Sequence, residues 1–141
     1  VIPSPLALWW HPLPLAAAAI TALNDHWWKQ AWPSALTGKI SDLCGLFFAP
    51  LLVATVAALC TPVLRSRAGQ LRTLATAAAA LAFLFAAIQL SPTFAGQFAD
   101  QIGRHLFGAP LAVTPDPSDL LALPALVAAV WWGQRRLAAF A

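Results

Sequence analysis

Between Leu43 and Thr61, and again between Leu74 and Leu90, the chain runs without a single charged residue. A helix needs roughly 17–25 predominantly apolar residues to cross a bilayer, and both stretches reach that length. Two weaker stretches flank them. The first runs from Leu6 to Leu23 and is interrupted early by His11, Pro12 and Pro14. Prolines near a helix start cost least, because the N–H groups they lack have no helical partner there. The last, Leu120 to Trp132, is short, although Pro117 can begin its helix one turn earlier. It spans only with a tilted or locally thin bilayer.

The expectation is therefore an all-α integral membrane protein, one transmembrane domain over 1–141 with about four spans near 6–23, 43–61, 73–92 and 117–133. Composition supports it. Hydrophobic residues make up 60% of the 141 and charged residues only 9%, with a mean hydropathy of +0.73. A soluble domain carries about a quarter charged residues, so membrane lipid is the expected cover for most of this surface.

The charges are sorted by side. With four spans, one side holds Arg65, Arg67, Arg72, Arg135 and Arg136 and no acid. The other holds all five aspartates with Lys29, Lys39 and Arg104. The positive-inside rule then puts both termini in the cytoplasm, with the aspartates outside. Trp9, Trp10, Trp131 and Trp132 form the inner aromatic belt, and Trp27, Trp28 and Trp32 the outer one. The bases form no stripe interleaved with aromatics, so nucleic acid is not an expected partner. The chain starts at Val1 and contains no methionine, and its N-terminal stretch lacks the basic n-region and small-residue cleavage site of an intact signal peptide.

From Phe94 to Phe107, Phe94, Phe98, Ile102 and Leu106 recur every four residues, opposite Gln97, Asp100, Gln101 and Arg104. That pattern predicts an amphipathic helix over about 94–107 lying in the outer interface. Trp28 and Trp32 share the spacing, so the first outer loop is a candidate to lie flat as far as Pro33. The triplets Ser41-Asp42-Leu43 and Ser118-Asp119-Leu120 open the second and fourth spans as a short internal echo. Cys44 and Cys60, on one helix, would stand about 24 Å apart along its axis, too far for a disulfide, and read as small buried apolar residues.

Most of the chemistry lies on the aspartate side. Asp116, Pro117 and Asp119 suit a helix start as N-cap, first helical residue and first-turn acid, and Ser41 and Asp42 suit the second span in the same way. A hard cation would use Asp25, Asp42, Asp116 and Asp119, without EF-hand spacing to support it. His26 and His105 are the candidates for zinc, haem or bacteriochlorophyll ligation, without the spacing of a known zinc site. Any bound lipid or pigment stays open. Thr37-Gly38-Lys39-Ile40-Ser41 lacks the upstream glycine of a phosphate loop, where Pro33 stands, and no G-x-S-x-G occurs.

The run Leu23-Asn24-Asp25-His26, with Pro33, Thr37-Gly38-Lys39-Ile40-Ser41-Asp42, Gly45 and the later Asp116-Pro117-Ser118-Asp119-Leu120-Leu121, resembles a group of uncharacterised small polytopic bacterial membrane proteins. The resemblance implies a membrane fold, placed in the bacterial cytoplasmic (inner) membrane, and no catalytic role. The expected function is a non-catalytic accessory or structural subunit of a larger bacterial membrane complex, photosynthetic or respiratory, with other integral membrane subunits as partners. The alternative is a small ion or solute transporter or channel with an outward-facing aspartate cluster. A membrane enzyme built on the outer His and Asp groups has least support.

Overall fold

The computed structural model describes residues 2–140, which are helical over most of their length, and no strand occurs among them. Helix α1 (Pro12–Leu23) begins where His11 Nδ1 accepts the Leu13 N–H at 3.1 Å and Pro12 supplies the first helical φ. Its path continues through a π turn, Asn24–Trp28, and a last α turn, Lys29–Ala31. Pro33 ends it by forcing Trp32 out of the helical region, to φ −137° and ψ 74°.

Helix α2 (Ala35–Cys60) starts on a reciprocal capping box. Ser34 Oγ accepts from the Thr37 N–H, and Thr37 Oγ1 accepts from the Ser34 N–H. At its other end Arg65 donates to the carbonyls of Ala58 and Leu59, which the helix leaves unpaired. A 3-10 turn, Pro62–Arg65, leads into α3 (Arg67–Leu90), capped by Ser66 on the Gly69 N–H. Ser91 caps α4 (Pro92–Phe107), and Gly108 closes it at φ 72°, a left-handed conformation that costs glycine nothing. A second 3-10 turn, Pro117–Ala122, precedes α5 (Pro124–Ala138).

Helices α2 and α3 are each long and apolar enough to cross a membrane. They form an antiparallel hairpin with α5 packed against both, while α1 lies on α2. The bundle thus has a basic end, at the Pro62–Arg65 turn and the close of α5, and an aspartate end. Leu8, Leu51, Leu74, Ala54, Ala129 and Leu137 make a fully buried core towards the basic end, and Leu46, Ala78, Ala122, Ala125 and Leu126 a second one towards the other. Gly133 lets α5 close on the first core, since a Cβ there would meet the Leu74 side chain.

Several boundaries differ from the sequence expectation, each for a local reason. The first stretch does not extend α1 back to Leu6. Residues 5–10 instead form turns that bring Ala7 and Leu8 across the basic end, where Arg136 Nε donates to the Ala7 carbonyl at 3.3 Å. Helix α2 starts at Ala35 and not near Leu43, because the Ser34–Thr37 box outcompetes Ser41 and Asp42 as a cap. Those two residues are therefore mid-helix, whereas Ser118 and Asp119 sit on a 3-10 turn, so the two triplets are not structurally equivalent. Cys44 is half-buried but Cys60, the last residue of α2, is exposed. Helix α4 matches the amphipathic pattern over 94–107. Its buried face is the small-residue row Ala95, Ala99 and Gly103, against which the 109–111 segment folds with the Leu111 N–H on the Ala99 carbonyl at 3.0 Å. Ile102 and Leu106 of the apolar row stay exposed.

Candidate functional site

At the aspartate end, four elements are joined by side-chain hydrogen bonds. Asn24 is the centre. The π turn carries it seven residues beyond buried Ala17 on the inward face of α1, and it is fully buried. Its Nδ2 donates to the Thr37 carbonyl and, at 2.6 Å, to Ser41 Oγ on α2. Ser41 Oγ in turn donates to Asp25 Oδ1 at 2.6 Å, and Lys29 Nζ closes on the same oxygen at 2.8 Å. Asn24 Oδ1 is buried without a protein partner among the described residues.

Two residues before Ser41 on α2, Lys39 Nζ reaches Asp119 Oδ1 at 3.0 Å and Ser118 Oγ at 2.8 Å on the 3-10 turn. Asp116 caps that turn, its Oδ1 accepting the Ser118 N–H at 2.9 Å. The Asp116 N–H donates to Gln89 Oε1 at 2.8 Å, which ties the turn to the end of α3.

The carboxylates differ in electrostatics. Burial acts to raise Asp25, but the hydrogen bonds from Lys29 and Ser41 and the Lys29 charge outweigh it and hold the group below the usual carboxylate range. The Ser118 backbone N–H holds Asp116 low as well, and the Asp119 hydrogen bond raises Lys39 above the usual amine value. Asp42 is the exception. Burial, then repulsion from Asp119, push it up, more than Lys29 and Lys39 pull it down.

The sign of its contribution follows. A carboxyl raised on folding binds its proton more tightly in the folded state. Its stabilising contribution is complete below the unfolded pKa and is lost as pH rises through the folded value. Asp25, held low, acts in the opposite sense. Asp42→Asn is therefore expected to be more resistant to heat than the parent at neutral pH, with the difference closing as pH falls below the ordinary carboxylate range. Thermal unfolding in mild detergent at several pH values checks this; a variant that melts below the parent at neutral pH contradicts it.

The predicted site residues are thus only partly assembled. Asp25, Asp42 and Asp119 lie close enough to affect one another or shared lysines, but Asp25, Asp116 and Asp119 are each engaged with a partner of their own. His26 and His105 are both exposed and belong to different elements, the π turn and α4, where His105 Nδ1 lies 2.6 Å from the Gln101 carbonyl. Among the described residues, no group of three or more His, Cys, Asp and Glu side chains could hold a metal ion.

Sequence reasoning missed the buried role of Asn24 and the whole role of Gln70. Gln70 is fully buried at the basic end, and its Nε2 donates to the Arg65 carbonyl at 2.9 Å and to the Ser4 carbonyl at 3.4 Å. The signal was periodicity. Once α3 starts at Arg67, Gln70 falls on the same face as Leu74 and Ala77. No protein-family model, no curated protein and no solved structure matches the chain, so its polar end is interpreted from its own chemistry.

Proposed function

We propose that the protein is a non-catalytic accessory subunit of a larger bacterial membrane complex, held in the inner membrane by four spans with both termini in the cytoplasm. The observation that carries this reading is how the buried polar side chains are used. Asn24, Ser41, Gln70 and Gln89 all bond one element to another, and each lies towards an end of the bundle, while the fifth, Thr55, turns back on the Leu51 carbonyl of its own helix. Between those ends the helices carry no ionisable side chain other than Cys44, and large apolar residues such as Val53, Val56, Phe83 and Val127 face outward. Such a body suits packing against lipid and other spans better than moving charge.

Length is ample for α2 and α3 and tighter for the other two spans. Helix α2 is about 39 Å long, against a hydrocarbon core of about 30 Å. Its apolar part from Leu43 thus fills the core, leaving the turns with Lys39, Ser41 and Asp42 outside. The uncharged helical length is shorter at the other two, about 18 Å for Pro12–Leu23 and about 24 Å for residues 120–134, so both cross with local thinning of the bilayer. Helix α4 would lie in the outer interface with Ile102 and Leu106 in the acyl boundary. Cross-linking in the native membrane, followed by isolation in mild detergent, tests the subunit reading. Co-migration with other integral membrane proteins is expected; a stable monomer with no cross-linked partner contradicts it.

Asp42 favours a second reading, a small transporter or channel, because it is half-buried, raised in pKa and without a direct ion-pair partner among the described residues. Proteoliposomes separate the two. Solute flux that drops in Asp42→Asn with Asp119→Asn supports transport, and flux that is absent or unchanged removes its basis.

A further inference from the structure

An apolar groove of about 1060 Å³ runs along the outside of the bundle between α3 and α5. Ala79 and Ala82 form one wall, and Leu123, Val127 and Trp131 the other. Small side chains on α3 leave the hollow. Helical register places two arginines beyond its end nearer the Pro62–Arg65 turn. Gly133 and Leu74 meet across the α3–α5 contact, which sets the register of these antiparallel helices. Arg72 and Arg135 each lie two residues beyond that contact towards the basic end, and so at the same level. Arg72 is seven residues before Ala79, and Arg135 seven after Ala128, so by helical period both sit in line with groove walls. Both are exposed, and neither forms an ion pair among the described residues. The Arg135 guanidinium stacks 4.4 Å from the Trp131 ring centre, which occupies its face and leaves its edge donors open.

We propose that this groove is a binding site for one anionic phospholipid of the leaflet at the basic end, with acyl chain along the apolar walls and phosphate between Arg72 and Arg135. The proposal rests on the membrane reading above. Length fits one leaflet: from Arg135 to Leu123 the wall rises about 18 Å, and half a hydrocarbon core is about 15 Å. Charge selects the occupant. An apolar helix from a partner would fill the walls but leave two arginines unanswered at the mouth, whereas an anionic headgroup neutralises them where basic pockets between spans ordinarily bind such lipids.

The test uses the purified full chain in nanodiscs of phosphatidylcholine doped with phosphatidylglycerol, with retained lipid counted by native mass spectrometry. Preferential retention of one phosphatidylglycerol is expected, falling roughly fivefold for each of Arg72→Gln and Arg135→Gln, as the loss of one surface cation implies. Val127→Trp, which fills the groove, should lower retention of both lipids. Raising salt on the unmodified chain should narrow the preference, so the test stands even where a variant does not fold. Equal retention of the two lipids, a preference indifferent to salt and to both arginines, or a dimer that seals the groove overturns the proposal. Because the isolated chain is used, the outcome is independent of whether partner subunits are found.

Discussion

Gly133→Leu is expected to destabilise the bundle by about 3 kcal/mol, the upper part of the usual range for overpacking a filled core. Three leucines converge on this glycine: Leu74 from α3, Leu51 from α2 and Leu8 from the N-terminal turns, each fully buried. Even the first added carbon would overlap the Leu74 side chain, with Leu8 Cδ2 at 3.4 Å and Leu51 Cδ2 at 3.5 Å beside it. A small shift of the Leu74 side-chain end can admit that one carbon, but not the three further carbons of a leucine, for which α5 has to move off the core. Gly133→Ala is the graded control. Its overlap is partly offset by the better helix propensity of alanine, worth about 1 kcal/mol, so its net loss should be small. Unfolding of both variants in detergent, followed by tryptophan fluorescence, measures the difference. A leucine variant as stable as the parent would show that the three-way contact is not tight.

Asn24→Asp is the second large effect, about 3 kcal/mol at neutral pH, the scale of a buried charge left without a partner. The shapes are nearly the same, so the change isolates the chemistry. Asn24 Nδ2 supplies two donors, to the Thr37 carbonyl and Ser41 Oγ. A carboxylate supplies none and would stand next to Asp25. Burial favours the protonated form of such a group, so the loss should shrink as pH falls. Asn24→Ala removes the same donors without adding charge and should cost about 1–2 kcal/mol with little pH dependence. The order Asp worse than Ala at neutral pH, converging in acid, is the expected pattern; equal losses at every pH would place the side chain in contact with water.

How far the sequence carries the structure depends on range. The cores of α2 and α3 are legible because an uninterrupted apolar run has few alternatives to a helix. The four-residue recurrence of Phe94, Phe98, Ile102 and Leu106 identifies α4 because it is local and periodic. Helix starts are less legible, since two capping options compete at α2: Ser34 with Thr37, and Ser41 with Asp42. The first wins because Pro33 has already broken the chain beside it. The polar end was visible as a collection of aspartates, but its pairings were not. Asn24 meets Ser41 across 17 residues and Lys39 meets Asp119 across 80. Nothing in local spacing encodes those partners, and the same holds for Gln70 with the Ser4 carbonyl. The prolines at 12 and 14 were visible too, yet their effect, folding residues 5–10 over the basic end, requires a core for Leu8 to enter.

The central claim is a membrane bundle with five of its six arginines inside and all its aspartates, with Arg104, outside. Labelling by a membrane-impermeant maleimide in intact bacterial spheroplasts tests it most directly, using chains in which Cys44 and Cys60 are replaced by alanine. A single cysteine is then placed either at Val63, exposed in the turn at the basic end, or at Gln101, exposed on α4 at the other. Gln101→Cys should label in intact spheroplasts, and Val63→Cys only after the membrane is permeabilised. Labelling of neither site until lysis, or of both before it, would contradict the account.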